Sequence, residues 1–401
     1  MPHRPDRARP ATVAVRAGVA RDAEFGAVIP PLHLSATFTF EALGQKRIHD
    51  YTRSGNPTRD HLGQAIAELE EGSTGIITAS GMAAVALVLQ LARPGDRIVA
   101  AHDCYGGTHR ALARLAQRGA FELAFADLTD PVTAAGAITP GTRLVWIETP
   151  SNPLLRITDL AAIANLAHAA GALVVADNTF LTPARQRPLL HGADIVVHST
   201  TKYLNGHSDV VGGAVVAADP AVGAELAWWC NCLGLAGAPF DCWLTLRGLR
   251  TLHPRLDVHE ANATALADHL AGESAVARVH YPGLPGHPGH ALARRQQEGF
   301  GGVVSFELRD GEAAVRRFLE GLSWFSLAES LGGVESLVAH PATMTHASMP
   351  EEVRARAGIG PGLLRLSVGI EDGRDLLADL RAGLARAGSD GRRTVAAGAA
   401  V

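Results

Sequence analysis

The chain has 401 residues, of which 47% are hydrophobic and 19% charged, with a formal net charge of −4. That length accommodates two or three domains with a sizeable core, and the charge balance offers no basic face for nucleic acid. Four cysteines (Cys104, Cys230, Cys232 and Cys242) are too few and too clustered for a disulfide framework and read as reduced thiols, which points to the cytoplasm.

The segment Met1–Pro10 is basic and proline-rich, without the apolar stretch of a secretory signal. The longest apolar run, Met82–Ala92, is too short to cross a bilayer. Residues 1–59 carry turn signals rather than periodicity and read as an irregular arm that packs on its own core or on a neighbouring subunit. Leu62, Ile66 and Leu69 then fall at helical spacing, and Gly72 stops that helix. Short apolar strands are expected over 75–79, 97–101, 121–126, 144–147, 173–176, 195–197 and 213–217, with helices over 80–91, 110–117 and 160–170. Strands of about five residues alternating with helices predict an α/β domain over 60–254, its parallel sheet covered on both faces. Residues 226–270 are helix-rich and bridge to a smaller α+β domain over 255–387, with strands at 303–308 and 363–368 and helices at 313–322 and 376–385. The Gly/Ala/Arg-rich tail over 388–401 reads as disordered.

No G-x-G-x-x-G follows a strand and no G-x-x-x-x-G-K-[ST] occurs, which removes the dinucleotide and P-loop readings. Gly206-His207-Ser208-Asp209 begins like a nucleophile elbow, but Val210 stands where the second glycine belongs. His287 and His290, near His280, lie in a Pro/Gly loop without an acidic or cysteine partner and read as solvent-exposed rather than metal-binding.

The chemistry gathers around Lys202. It follows the strand 195–197, at the edge where open α/β sheets place ligands. A partly buried lysine there loses its charge easily and suits a Schiff base. Four further places offer groups for the rest of a pyridoxal phosphate. Asp177, at a strand end, can sit against the pyridinium nitrogen and keep the ring an electron sink. Gly81 and Met82 open a helix and offer backbone N–H groups to a phosphate. Ser199 and Thr201 can bring two hydroxyls to the same phosphate, and Tyr105 supplies a ring to stack on the cofactor. Each has a plainer reading: a turn aspartate, a helix cap, hydroxyls bonded to backbone, a half-buried core ring. Together, in one α/β domain, they are poorly explained by chance.

The motifs are long enough to compare with a known family. Tyr51-Thr52-Arg53-Ser54-Gly55-Asn56-Pro57-Thr58, Asp103-Cys104-Tyr105-Gly106-Gly107, Glu148-Thr149-Pro150-Ser151-Asn152-Pro153, Asp177-Asn178-Thr179-Phe180, Ser199 to Asp209, Ala328 to Gly333 and Leu364 to Asp372 resemble the cystathionine γ-synthase/γ-lyase, or Cys/Met metabolism, family of pyridoxal-phosphate enzymes. The resemblance runs from about Gly26 to about Leu384. It implies an aspartate-aminotransferase-like fold (fold type I), small amino-acid substrates, and a homotetramer of two active dimers, with no nucleic-acid or membrane partner. It implies Lys202 as the Schiff-base lysine, Asp177 as pyridinium partner, and Tyr105 as stacking ring and proton acceptor. Gly81, Met82, Ser199 and Thr201 would bind phosphate, with Tyr51 and Arg53 reaching the phosphate of the neighbouring subunit. Asn152 would lie near the ring hydroxyl. Arg365, Ser330 and Asn152 would hold the substrate α-carboxylate. Glu329 resembles members that handle cystathionine. Trp228-Trp229-Cys230-Asn231 with Pro239-Phe240-Asp241 resembles the bacterial γ-synthase branch, in which Arg110 would contact the acyl group of an activated homoserine and Asn231 would also touch substrate. Ser54 departs from a second arginine found in some succinyl-using members. The implied activity is γ-replacement on an O-acyl-homoserine by cysteine, with cystathionine γ-lysis as the alternative. A non-catalytic homologue is disfavoured by the intact Lys202, Asp177 and Arg365.

Overall fold

The computed structural model describes residues 8–347 and 349–388. The expectations for the first residues and for the tail beyond Gly388 lie outside these. The arm is not wholly irregular: Pro10–Arg16 forms a short helix, α1, with proline at its first position. The next helix, α2 (Pro57–Glu70), starts before its apolar periodicity does, because Asn56 caps it. The Asn56 Oδ1 accepts from the backbone N–H groups of Thr58 and Arg59 at 3.0 and 3.3 Å.

Seven strands form the large sheet: β1 (Thr74–Thr78), β2 (Arg97–Ala101), β3 (Glu122–Ala126), β4 (Thr142–Glu148), β5 (Leu173–Asp177), β6 (Ile195–Ser199) and β7 (Gly213–Ala217), in the order β1-β7-β6-β5-β4-β2-β3. The apolar strands predicted an all-parallel sheet, and the sheet is mixed instead. β7 runs antiparallel to both neighbours, β1 and β6. Burial on both faces makes a strand apolar whichever way it runs, so composition could not report the reversal. The helices α3 (Gly81–Val88) and α4 (Gly106–Gln117) follow β1 and β2. The short helix Pro131–Ala137, capped by Asp130, carries no apolar stripe and went unanticipated.

Close glycine contacts set the packing. A Cβ built on Gly75 of β1 would stand 2.0 Å from the Gly63 carbonyl oxygen of α2, and one on Gly63 would stand 2.6 Å from that of Gly75. The helix therefore lies directly on the strand.

The second sheet has five strands, β8 (Val276–His280), β9 (Val303–Leu308), β10 (Ser326–Leu327), β11 (Leu337–Ala339) and β12 (Leu363–Ser367), in the order β10-β11-β12-β9-β8. The helix Leu252–Ala271 runs through the expected boundary at 254/255. Phe306, Phe318, Leu364 and Leu380 fill the core between this sheet and its helices. The histidines of the Pro/Gly loop, His287 and His290, read from sequence as solvent-exposed, are half-buried. His290 stacks on Phe300 at 5.6 Å and its Nδ1 lies 2.8 Å from the Pro282 carbonyl. Burial pushes His287 down to about 4. No helix is long and apolar enough to cross a membrane among the described residues. There too, no group of three or more His, Cys, Asp or Glu could hold a metal, and all four cysteines are unpaired.

Candidate active site

A cavity of about 350 Å³ opens at the carboxyl ends of β4, β5 and β6. Three backbone devices build its floor. Ser80 caps α3, its Oγ accepting from Ala83 N at 3.0 Å, and leaves the Gly81 end of the helix facing the cavity. A Cβ on Gly81 would lie 2.8 Å from the Cβ of Ser199, and one on Gly213 would lie 2.2 Å from the Ser80 carbonyl oxygen. The helix N-terminus is thus seated on β6 and β7 with no room to spare. Past Ser199 the chain turns tightly: Lys202 N donates to Ser199 O at 3.2 Å and Gly206 N to Lys202 O at 2.8 Å. Gly206 is left-handed (φ +74°), and a Cβ there would sit 2.0 Å from Arg255 Nη1. The buried Arg255 donates to the Tyr203 and Gly248 carbonyls at 2.9 and 2.8 Å, clamping the loop that bears the lysine.

Lys202 Nζ donates to Ser330 Oγ at 2.6 Å. Burial first, then the charge of Arg365, pushes its pKa down to about 8, with Glu329 opposing. At pH 7 that leaves about a tenth of the lysine neutral, against roughly one part in three thousand for a free lysine. Arg365 is itself buried. It donates to Asn152 Oδ1 and to the Ser330 carbonyl, each at 2.8 Å. Burial depresses it to about 10. No carboxylate among the described residues pairs with it, and its Nε has no partner. A buried guanidinium in this state is a ready receptor for an incoming carboxylate. Ser330 sits at φ +93°, a conformation a serine rarely takes, between these two cations.

Asp177 ends β5 in register with Glu148 of β4. Its Oδ1 accepts from Thr179 N at 3.0 Å, and Thr179 Oγ1 accepts from Ser199 N at 2.9 Å. Burial raises Asp177, opposed by Thr179 and His198. Glu148 lies well above the ordinary carboxylate range, through burial first and then the Asp177 charge. It accepts from Tyr105 N at 2.7 Å and Asn152 N at 3.0 Å. It thereby fixes the ring at the head of α4 and the amide beside Arg365. The Tyr105 ring crosses over Gly107, where a Cβ would stand 2.5 Å from its Cε1.

The structure brings together Lys202, Asp177, Gly81, Met82, Ser199, Thr201, Tyr105, Asn152, Arg365, Ser330 and Glu329 around one cavity. Thr201 Oγ1 is shared with backbone, accepting from Gly212 N at 3.0 Å. Tyr51, Arg53, Asn231 and Arg110 do not line it. Arg53 Nε instead donates to Asn231 Oδ1 of its own chain at 3.2 Å. Sequence reading passed over Glu148 and Thr179, which stand inside quoted motifs, and Thr345, which reaches the cavity from a distant loop. The strand-end position of Glu148 was the available signal.

A family model described as Cys/Met metabolism PLP-dependent enzyme matches residues 11–385. Cystathionine gamma-synthase of Escherichia coli (strain K12) is 54% identical over 374 residues, 93% of this chain and 97% of that protein. Cystathionine gamma-lyase of Dictyostelium discoideum is 46% identical over 377 residues, 94% of this chain and 97% of that one. The crystal structure of cystathionine gamma synthase from Xanthomonas oryzae pv. oryzae in complex with aminoacrylate and cysteine is similar at a TM-score of 0.94 and 61% identity, covering 95% of this chain and 99% of the other. The expected fold type I architecture is borne out by that likeness. A match over nearly the whole length, with relatives near or above half identity, makes this chain a member of the Cys/Met metabolism PLP-dependent enzyme family, a carbon–sulfur transferase or lyase whose cofactor is pyridoxal 5′-phosphate.

Proposed function

We propose that the chain is a cystathionine γ-synthase, replacing the acyl group of an O-acyl-homoserine, O-succinyl by preference, with cysteine. The observation that carries the chemistry is the row Lys202–Ser330–Arg365–Asn152, in which a low-pKa amine stands beside a carboxylate receptor. The likeness to the two γ-synthases supports synthesis over lysis.

The residues fit the cofactor by their chemistry. Lys202 Nζ is the amine for its aldehyde, and Asp177 is the buried anion for its ring nitrogen. The Gly81–Met82 N–H groups with Ser199 and Thr201 form a cradle for its phosphate. When bound, the cofactor supplies an electron sink. Arg365 and Asn152 hold the substrate α-carboxylate. Tyr105 would stack on the ring and, once ionised, would accept a proton from the substrate amine; burial and then Glu329 raise its pKa, and Arg110 opposes that rise. Lys202, as a free amine, would move protons from Cα and Cβ, with Ser330 Oγ as its resting partner. The acyl group leaves from Cγ and the cysteine thiolate adds there.

The deciding assay offers O-succinyl- and O-acetylhomoserine, each with and without cysteine, and identifies the products. Cystathionine forming only when cysteine is present supports this reading. Rapid breakdown of added cystathionine to cysteine and a keto acid, without synthesis, overturns it in favour of the γ-lyase.

The arm supports a shared site in a dimer, and two such dimers make the proposed tetramer. Phe25 is 82% exposed, Leu43 104% and Ile48 95%, an apolar surface left uncovered by a single chain. Tyr51 and Arg53 do not line the cavity of their own chain, and Arg53 is instead bonded to Asn231. Arg53→Ala and Lys202→Ala chains, each inactive alone, should regain about a quarter of the wild-type rate after random subunit exchange, since each mixed pair holds one intact site. No recovery after proven exchange counts against the shared site.

A further inference from the structure

Beneath the cavity, on the far face of the sheet, lies a buried polar pair that the reaction above does not use. His198 precedes Ser199 on β6, so its side chain points away from the cavity. There its Nε2 lies 2.7 Å from Oε1 of Glu70, the last residue of α2, and both side chains are fully buried. The same Glu70 oxygen accepts from Asn178 Nδ2 at 2.8 Å. Asn178 follows Asp177 directly. Its Nδ2 also donates to the Gln186 carbonyl at 2.8 Å, and its backbone N donates to Val197 O at 3.0 Å.

A carboxylate buried in this way forfeits its hydration, and an apolar side chain would pack the same space without that loss. His198 Nδ1 has no partner, so a proton there would bury an unsatisfied N–H. Nε2 is therefore the nitrogen that His198 turns to Glu70, whose second oxygen, Oε2, is likewise buried without a partner. The charged groups around His198 are Glu70 from α2 and Asp177 from β5; the facing residue of β7 is Ala214.

We infer that Glu70 and His198 are positioning residues for Asp177. Together they anchor the Asn178 side chain and so hold the Asp177–Thr179 corner, which keeps the Asp177 carboxylate against the cofactor's ring nitrogen. The corner reaches the phosphate side as well, through Thr179 Oγ1 and Ser199 N. This inference rests on the proposed role of Asp177.

The test compares holoenzymes of His198→Leu, His198→Gln, Glu70→Gln and Asp177→Asn. Three quantities are read: the dissociation constant of pyridoxal phosphate, the pH midpoint of its visible absorption band, and the thermal midpoint. His198→Leu should raise the dissociation constant about tenfold, a change of one decade per 1.4 kcal/mol, and displace the band midpoint. His198→Gln keeps an N–H donor for Glu70 and should stay within about twofold of wild type. Glu70→Gln preserves volume and should move both cofactor readouts in the same direction as His198→Leu, which carries the test should that variant fail to fold. Asp177→Asn should move them further than either. A loss of thermal stability in His198→Leu and Glu70→Gln with both cofactor readouts unmoved, while Asp177→Asn moves them, overturns this inference alone. Unmoved readouts in Asp177→Asn overturn it together with the role of Asp177.

Discussion

Lys202→Ala should lower turnover by at least about ten-thousandfold, because in the proposed reaction one side chain is both the cofactor's anchor and the base and acid at two substrate carbons. The alanine leaves Ser330 Oγ without its donor but disturbs no backbone bond of the loop, since Lys202 N and O bond to Ser199 and Gly206. The variant should therefore fold and still bind pyridoxal phosphate in its cradle, now exchangeably. Borohydride should fix the cofactor on Lys202 in the wild type and leave it removable by dialysis in the variant. Retention of a borohydride-fixed cofactor in Lys202→Ala would place the attachment elsewhere.

Asp177→Ala should cost roughly a hundred- to a thousandfold in turnover, the scale for removing one preorganised charge from a buried site. Every step that develops a carbanion draws on the protonated ring, so the loss should appear with O-succinyl- and O-acetylhomoserine alike. Ser54→Ala is the contrast. The Ser54 hydroxyl is committed to its own turn, donating within reach of Asp50 Oδ1 at 2.9 Å and Tyr51 O at 2.8 Å, and it is solvent-exposed. Its replacement should change turnover by less than about threefold, the scale of an exposed polar substitution. Steady-state kinetics on both variants decides the matter, and equal losses contradict the assignment of Asp177.

The centre of the site was legible because its groups sit where local pattern changes abruptly. Lys202, Asp177 and Gly81 each stand at the seam between an apolar strand and a turn or helix start, and a seam can be seen in one dimension. Glu148 stands at such a seam too, but its importance comes from Tyr105 N and Asn152 N, which only folding brings to it. Thr345 has no local signal at all, being delivered by a loop of the second domain. The same limit applies to the fold. Strand existence was readable from apolar runs, whereas the reversal of β7 and the short β10 and β11 depend on pairing partners. Arg365 was placed by motif likeness, and its unpaired burial became visible only with the surrounding chain.

The contact between Gly63 and Gly75 bears on how such a chain can diversify. Helix α2 starts immediately after the arm, at the Asn56 cap, and ends at Glu70 beneath Asp177. A single methyl group on either glycine would lift that helix from β1 and disturb both ends at once. Neither residue lines the cavity, yet together they set where both the arm and the Asp177 corner meet the sheet. Exposed positions such as Ser54 and Arg110 carry no such constraint, so side chains there can be exchanged without moving the helix.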